Sequence, residues 1–219
     1  MTSRTCGFLV SLEGISGSGK THFATQLGSE LAHDKFIVLS ELSDRTSEHL
    51  DGLIIRALRH SRDRFFRMNL PLSETFLLLA LKMYDYEATI APALAAGLTV
   101  VEDRSIDTIA VYQAIMICSE GLEERVSVAN EIYEIAAKWR RPPDLTFLLV
   151  DNFEKVIRRA ASRAGVDFHP DEIEVLRAAE ALYSRYAQEY PNRIVTIDQA
   201  VLTNDQVIER ITTGIRRTS

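Results

Sequence analysis

Apolar residues follow one another along this chain in two rhythms. Short unbroken runs appear as FIVLSE from Phe36, LTVVE from Leu98 and LTFLLV from Leu145. Such runs suit strands buried on both faces of a parallel sheet. Between them the apolar positions recur at helical spacing, as in Phe23, Leu27 and Leu31. The pattern predicts strands at 7–12, 36–41, 98–102, 145–150 and 193–197. It predicts helices at 20–32, 47–59, 73–88, 107–118, 122–139, 152–163, 171–189 and 204–216. Strands alternating with helices indicate an α/β fold. Pro142-Pro143 stops the 122–139 helix, and Pro191-Asn192 precedes the last strand. Neither is long enough to separate domains, so the chain reads as one domain over 1–219.

Composition narrows the class. Apolar residues make up 46% of 219, enough for a sizeable core, and no run reaches the length of a membrane span. The opening stretch MTSRTCGFLVSLEG lacks a signal-peptide layout, because its apolar part runs directly into a glycine loop. Cys6 and Cys118 are too few and too far apart for a disulfide framework or zinc site, and read as reduced core thiols of a cytoplasmic protein. The net charge of −6 argues against nucleic-acid binding, which needs a basic face. The cluster Arg56, Arg59, Arg62, Arg64 and Arg67, with Phe65 and Phe66 inside it, reads as a solvated helix end and loop.

The chemistry is concentrated at Gly14-Ile15-Ser16-Gly17-Ser18-Gly19-Lys20-Thr21, a complete G-x-x-x-x-G-K-[ST] loop between an apolar strand and an amphipathic helix. Glycines let the backbone turn its N–H groups inward, and the helix N-terminus adds partial positive charge for phosphate oxygens. The loop from Gly14 through Ser16, Gly17, Ser18 and Gly19 would cradle the phosphates of ATP. Lys20 would reach the terminal phosphates and Thr21 would hold Mg²⁺. A second feature, Val100-Val101-Glu102-Asp103-Arg104, ends the third strand, where ligands bind in such sheets. Asp103 suits Mg²⁺ and its waters, and Arg104 suits a phosphate of the substrate or the transferred group. A strand-end ion pair is the bland alternative.

These residues carry a resemblance. FLVSLEGISGSGKTHFATQL, IAPALAAGLTVVEDRSIDTIAVYQ, RPPDLTFLLVDNFEKVIRRAASR and ALYSRYAQEYPNRIVTIDQAVLTNDQVIERI together are similar to the thymidylate kinase family. The resemblance implies a three-layer P-loop kinase fold: a five-stranded parallel sheet, helices on both faces and a short lid at about 159–172. It implies ATP-Mg²⁺ as donor, a second nucleotide pocket and a possible homodimer. The phosphate loop holds no arginine at its variable positions, so the resemblance implies a catalytic arginine in the lid, Arg163 or Arg159. It places Tyr112, with Thr108 one turn before it, beside the acceptor's sugar. Within the basic cluster Arg56 is the exception: its position on the expected 47–59 helix suits it to face the acceptor phosphate.

The chain departs from the family where the acceptor binds. Where the family has R-E-P-G-G-T after its second strand, this chain has Ser40-Glu41-Leu42-Ser43-Asp44-Arg45-Thr46, keeping only Glu41. The thymine-stacking Phe maps onto Leu78 and the base-contacting Arg onto Lys82. Leucine cannot stack as a ring does, and lysine offers no planar pair of donors. The acceptors left open are another nucleotide, with dTMP used poorly, a nucleoside, or a different small hydroxyl or phosphate compound. Asp103-Arg104-Ser105 is similar to the Glu-Arg-Ser of deoxyribonucleoside kinases, and Glu41 occupies the place of their general base. A third reading is a P-loop protein that binds ATP and regulates. No Asn-Lys-x-Asp string for guanine is present.

Overall fold

The computed structural model describes residues 7–31, 36–39, 48–60, 63–67, 69–119 and 121–218. In chain order the elements are β1 (Phe8–Glu13), α1 (Lys20–Glu30), β2 (Phe36–Leu39), α2 (Leu50–Arg59) and α3 (Pro71–Asp85). A π-helical turn (Tyr86–Ile90) leads into α4 (Ala91–Ala95), followed by β3 (Thr99–Asp103), α5 (Ile106–Ile117) and α6 (Leu122–Ala137). The chain then forms β4 (Leu145–Val150), α7 (Phe153–Ala164), α8 (Pro170–Glu189), β5 (Ile194–Asp198) and α9 (Asn204–Thr218). The five strands pair in parallel in the order β2-β3-β1-β4-β5.

Strand alternation sorts the core into layers. Phe8, Val10 and Leu12 of β1 join Leu145, Phe147 and Leu149 of β4 beneath α1 and α9. Leu148 faces the opposite side, where α2, α3, α5, α6 and α8 pack around Leu58, Leu81, Ile109, Ala129 and Leu176. Helix α5 is buried through most of its length because it lies between the sheet and its neighbours. The outer strands are less covered, and β5 buries only Ile194 and Ile197 of its five residues.

The expected elements form, with ends displaced by a few residues. The 73–88 helix begins earlier, at Pro71, whose fixed φ suits the first helical position. It also stops earlier. Pro92 has no N–H for the carbonyl of Ala88, and its ring would crowd that carbonyl. The π turn absorbs the mismatch, with Ala91 N–H donating to Tyr86 O, and α4 is an element that the pattern did not predict. The second strand is described only to Leu39; Glu41 lies outside the described residues.

Candidate active site

β1 ends at Glu13 in the middle of the sheet, and the phosphate loop leaves from its carboxyl end. Gly14 stands at φ 136° and Gly17 at φ 88°, both in the region that favours glycine. A Cβ on Gly17 would lie 2.3 Å from the carbonyl oxygen of Val156, so this variable position of the loop also requires glycine. Gly19 precedes α1 without a side-chain cap, leaving first-turn N–H groups for an external oxygen. Lys20 Nζ bends back over the loop, 2.9 Å from the carbonyls of Gly14 and Ile15 and 3.2 Å from Ser18 Oγ. Gln199, beyond β5, supports the loop from behind by donating to Ser18 O at 2.8 Å. Ser16 is turned the other way and lines a separate cavity described below.

β3 lies beside β1, which brings Asp103 against the start of α1. Thr21 Oγ1 donates to Asp103 Oδ2 at 2.6 Å. Asp103 Oδ1 is buried and has no hydrogen-bond partner among the described residues. An orphaned carboxylate oxygen beside a hydroxyl oxygen fits a hard cation. Among the described residues no three His, Cys, Asp or Glu side chains gather to hold a metal. A Mg²⁺ here would therefore complete its shell with phosphate oxygens and water, as this ion commonly does.

The next residue, Arg104, is held at φ 70°. Its N–H donates to Leu12 O at 3.1 Å, and its guanidinium reaches Gly14 O at 3.3 Å. Its carbonyl accepts from Lys82 Nζ. Lys82 also lies 3.6 Å from Glu102 and 3.8 Å from Asp85, and Glu102 makes a two-pronged pair with Arg140 at 2.6 and 3.2 Å. Burial pushes the Glu102 carboxyl up, but Arg140 and Lys82 outweigh it and hold the group below the usual glutamate range.

Beside the phosphate loop lies a cavity of about 300 Å³. Leu78, Ile109, Tyr112, Phe65, Phe66 and Phe168 line it with apolar surface, and Arg64, Arg104 and Arg163 supply positive charge. Phe65 stacks on Tyr112 with ring centres 5.7 Å apart and an interplanar angle of 24°. Lys82 and Thr108 reach the cavity wall, yet their polar ends are turned to protein partners. Thr108 Oγ1 donates to Glu13 and lies 2.8 Å from Tyr183 OH. Glu13 also accepts from the N–H and the hydroxyl of Ser105, both at 2.7 Å, and from Tyr183 OH at 3.1 Å. Burial, and then the Asp107 charge, push the Glu13 carboxyl above its ordinary value.

The structure separates the other site candidates. Arg163 lines the cavity, whereas Arg159 pairs with Asp151 Oδ2 at 2.7 Å. Burial favours the neutral form of Asp151, but the Asn152 N–H, Lys155 and Arg159 outweigh it and lower its pKa. Arg56 is exposed on α2 and is not part of the cavity wall. The reading of 56–67 as a solvated helix end and loop needs correction at its C-terminal part. Phe65, Phe66 and Arg64 line the cavity, Arg64 also contacts the α7–α8 connection and Arg67 the first turn of α8, because Asp63 folds the segment into a turn. The pairing of two aromatics inside a basic run was its sequence signal. Phe168 and Glu13 were also missed; a charged residue closing an apolar strand marks the latter. Cys118 is buried and forms no disulfide among the described residues, and Cys6 lies outside them.

The chain is similar to known proteins in sequence and in fold. The sequence profile of the family described as thymidylate kinase matches residues 12–211. A probable thymidylate kinase of Methanosarcina acetivorans is 31% identical over 218 residues, covering 96% of this chain and 98% of its own. A thymidylate kinase of Caldanaerobacter subterraneus subsp. tengcongensis is 28% identical, covering 88% of this chain and 87% of its own. Among solved structures, thymidylate kinase from Candida albicans superposes with a TM-score of 0.72 at 19% identity, covering 97% of this chain and 92% of its own. The Ehrlichia chaffeensis enzyme gives 0.66 at 19% identity, covering 96% and 98%.

Proposed function

This chain belongs to the thymidylate kinase family and is an ATP-dependent nucleotide kinase that uses Mg²⁺; on that premise we propose that its acceptor is a nucleoside monophosphate bound in the arginine-edged aromatic cavity, and that dTMP is a poor one. The observation that carries this reading is the pairing of Arg104 and Arg163 with an apolar pocket beside the phosphate loop. Arginine suits a phosphate, and the apolar walls suit a base.

Lys20 and the α1 N-terminus bind and orient the donor phosphates, and Thr21 with Asp103 would hold Mg²⁺. The ion supplies charge neutralisation at the transferring phosphoryl group. Arg104 orients the acceptor phosphate. Arg163 brings positive charge to the reacting group from the lid, with Arg159 retained on Asp151. Closure of the 159–172 segment would exclude water. No protein nucleophile is needed in phosphoryl transfer of this kind.

The expected weakness with dTMP rests on Leu78 and Lys82. Leu78 gives the base no ring, and the Lys82 ammonium is engaged by Arg104 O and by Glu102. Loss of a stack and of a planar donor pair predicts a drop on the order of 10- to 10³-fold relative to an efficient thymidylate kinase. Steady-state kinetics with ATP-Mg²⁺ and a panel of nucleoside monophosphates and nucleosides test the reading. Another monophosphate should exceed dTMP in kcat/KM. A dTMP value in the range of about 10⁴–10⁸ M⁻¹s⁻¹ would refute poor dTMP use. Transfer to nucleosides alone, abolished in Glu41→Gln, would replace it with the hydroxyl-acceptor reading. ADP release indifferent to every acceptor would indicate a regulator.

The rest of this reading treats 1–219 as one kinase domain in the cytoplasm. No described helix is long and apolar enough to cross a membrane. A homodimer would cover Leu50 and Leu53 of α2 and Leu72 and Phe76 of α3, which are all more than half exposed.

A further inference from the structure

The Asp63–Arg67 turn is built to hold two surfaces at once. Asp63 Oδ1 accepts from the N–H groups of Phe65 and Arg67 at 2.8 and 3.2 Å, and Oδ2 accepts from the Arg67 guanidinium at 2.9 and 2.7 Å. Phe66 is fixed at φ 59°, an unfavourable backbone for a bulky residue, which persists only where surrounding contacts over-determine it. The two Phe side chains form cavity wall. Arg64, which also lines the cavity, and Arg67 reach from the same turn to the α7–α8 connection and the first turn of α8.

Arg64 grips the connection between α7 and α8. Its guanidinium donates to Val166 O at 2.8 Å and to Asp167 O at 3.4 Å, and lies 4.2 Å above the Phe168 ring. Glu172 is 3.6 Å from Arg64 Nε and also caps the first turn of α8 through the His169 N–H. Arg67 adds a 2.8 Å pair with Asp171. A lone exposed ion pair contributes little. Here one planar cation combines charge-assisted hydrogen bonds with a ring contact, a geometry that lysine cannot reproduce.

We propose that Arg64 is a positioning residue for phosphoryl transfer: it holds the α7–α8 connection against the acceptor cavity and so keeps Arg163, at the end of α7, directed into it. The proposal rests on the role given to Arg163 above. An acceptor in the cavity touches the same turn that grips the lid, so acceptor binding and lid closure reinforce one another.

Arg64→Met, Arg64→Lys, Arg163→Ala and the Arg64→Met/Arg163→Ala double variant of the full chain test this. In the ligand-free protein, amide exchange across 165–169 should accelerate about tenfold in Arg64→Met, with partial protection in Arg64→Lys and no change in β1. With ATP-Mg²⁺ and dTMP as probe, Arg64→Met should lower kcat about tenfold and leave the ATP KM unchanged; the loss should vanish when Arg163 is already Ala. Phe168→Leu, a milder change, should shift exchange the same way. Unaltered exchange in both Arg64→Met and Phe168→Leu would overturn the proposal. So would an Arg64→Met loss that adds fully to a large Arg163→Ala loss, which would leave the role of Arg163 intact. Normal turnover in Arg163→Ala would overturn that role, and this proposal with it.

Discussion

The Lys82 ammonium is hydrogen-bonded to the carbonyl of Arg104, a residue whose backbone stands at φ 70°. A left-handed backbone at a non-glycine residue costs about 1–3 kcal/mol. The cost is offset from both sides of the peptide, by Lys82 on the carbonyl and Leu12 O on the N–H. The contorted backbone lets the Arg104 guanidinium reach both the phosphate loop and the cavity beside it. Lys82 thus serves as a brace for the strand-end arginine.

Lys82→Met should therefore act on stability and on turnover together. Removing one partner of a buried ion pair costs roughly 3–5 kcal/mol. Arg140 remains on Glu102, so about 2–4 kcal/mol is expected here, read from urea unfolding. Turnover should fall with any acceptor as Arg104 relaxes. Unchanged stability with weakened acceptor binding alone would instead make Lys82 a direct ligand of the acceptor.

The strands, the phosphate loop and Asp103 were legible because each is local. A glycine signature between a strand and a helix specifies its own geometry, and buried parallel strands are plain apolar runs. The cavity beside the phosphate loop was less legible because it is assembled from distant segments. Phe65 meets Tyr112 across the fold, and neither position carries a local signal of that stacking. Lys82 was placed at the cavity by spacing, but its orientation depends on Glu102 and Asp85. The π turn was hidden because its cause, Pro92, lies just beyond the element it distorts.

Lys20→Ala should abolish useful phosphoryl transfer without unfolding the protein. The ammonium contacts carbonyls of its own loop, which its removal leaves as ordinary turn carbonyls. Losing a charge aimed at the developing transition state costs about 10²–10³-fold or more in kcat. Circular dichroism should match the parent. Wild-type turnover would rule out the assigned donor site.

Asp103→Asn separates charge from shape. The amide oxygen can still accept from Thr21, but the buried anion next to it is gone. The Mg²⁺ concentration for half-maximal rate should rise at least about tenfold, equivalent to 1.4 kcal/mol. Thermal stability without the ion should hold or increase, since an unpartnered buried carboxylate oxygen is unfavourable. An unaltered Mg²⁺ dependence would place the ion elsewhere.

Glu13→Gln gives a pH signature whose sign follows from burial. The folded-state pKa of Glu13 lies above its ordinary 4.5, because desolvation and the Asp107 charge outweigh the hydrogen bonds from Thr108 and Ser105. The folded protein therefore binds this proton more tightly than the unfolded chain does. Its contribution to stability is complete below pH 4.5 and is lost as pH rises through the higher folded value. Glutamine does not titrate, so the stability of Glu13→Gln relative to the parent should improve as pH rises from about 4.5, by about 1.4 kcal/mol for each pH unit within the window, and then level off. Urea midpoints taken at intervals between pH 4 and 8 would trace that curve. Acceptor KM should rise in the same variant, because Thr108 and Ser105 lose the carboxylate that fixes them at the cavity wall. A relative stability that falls with increasing pH would mean that the four donors around Glu13 prevail over its burial and hold it as a stabilised carboxylate.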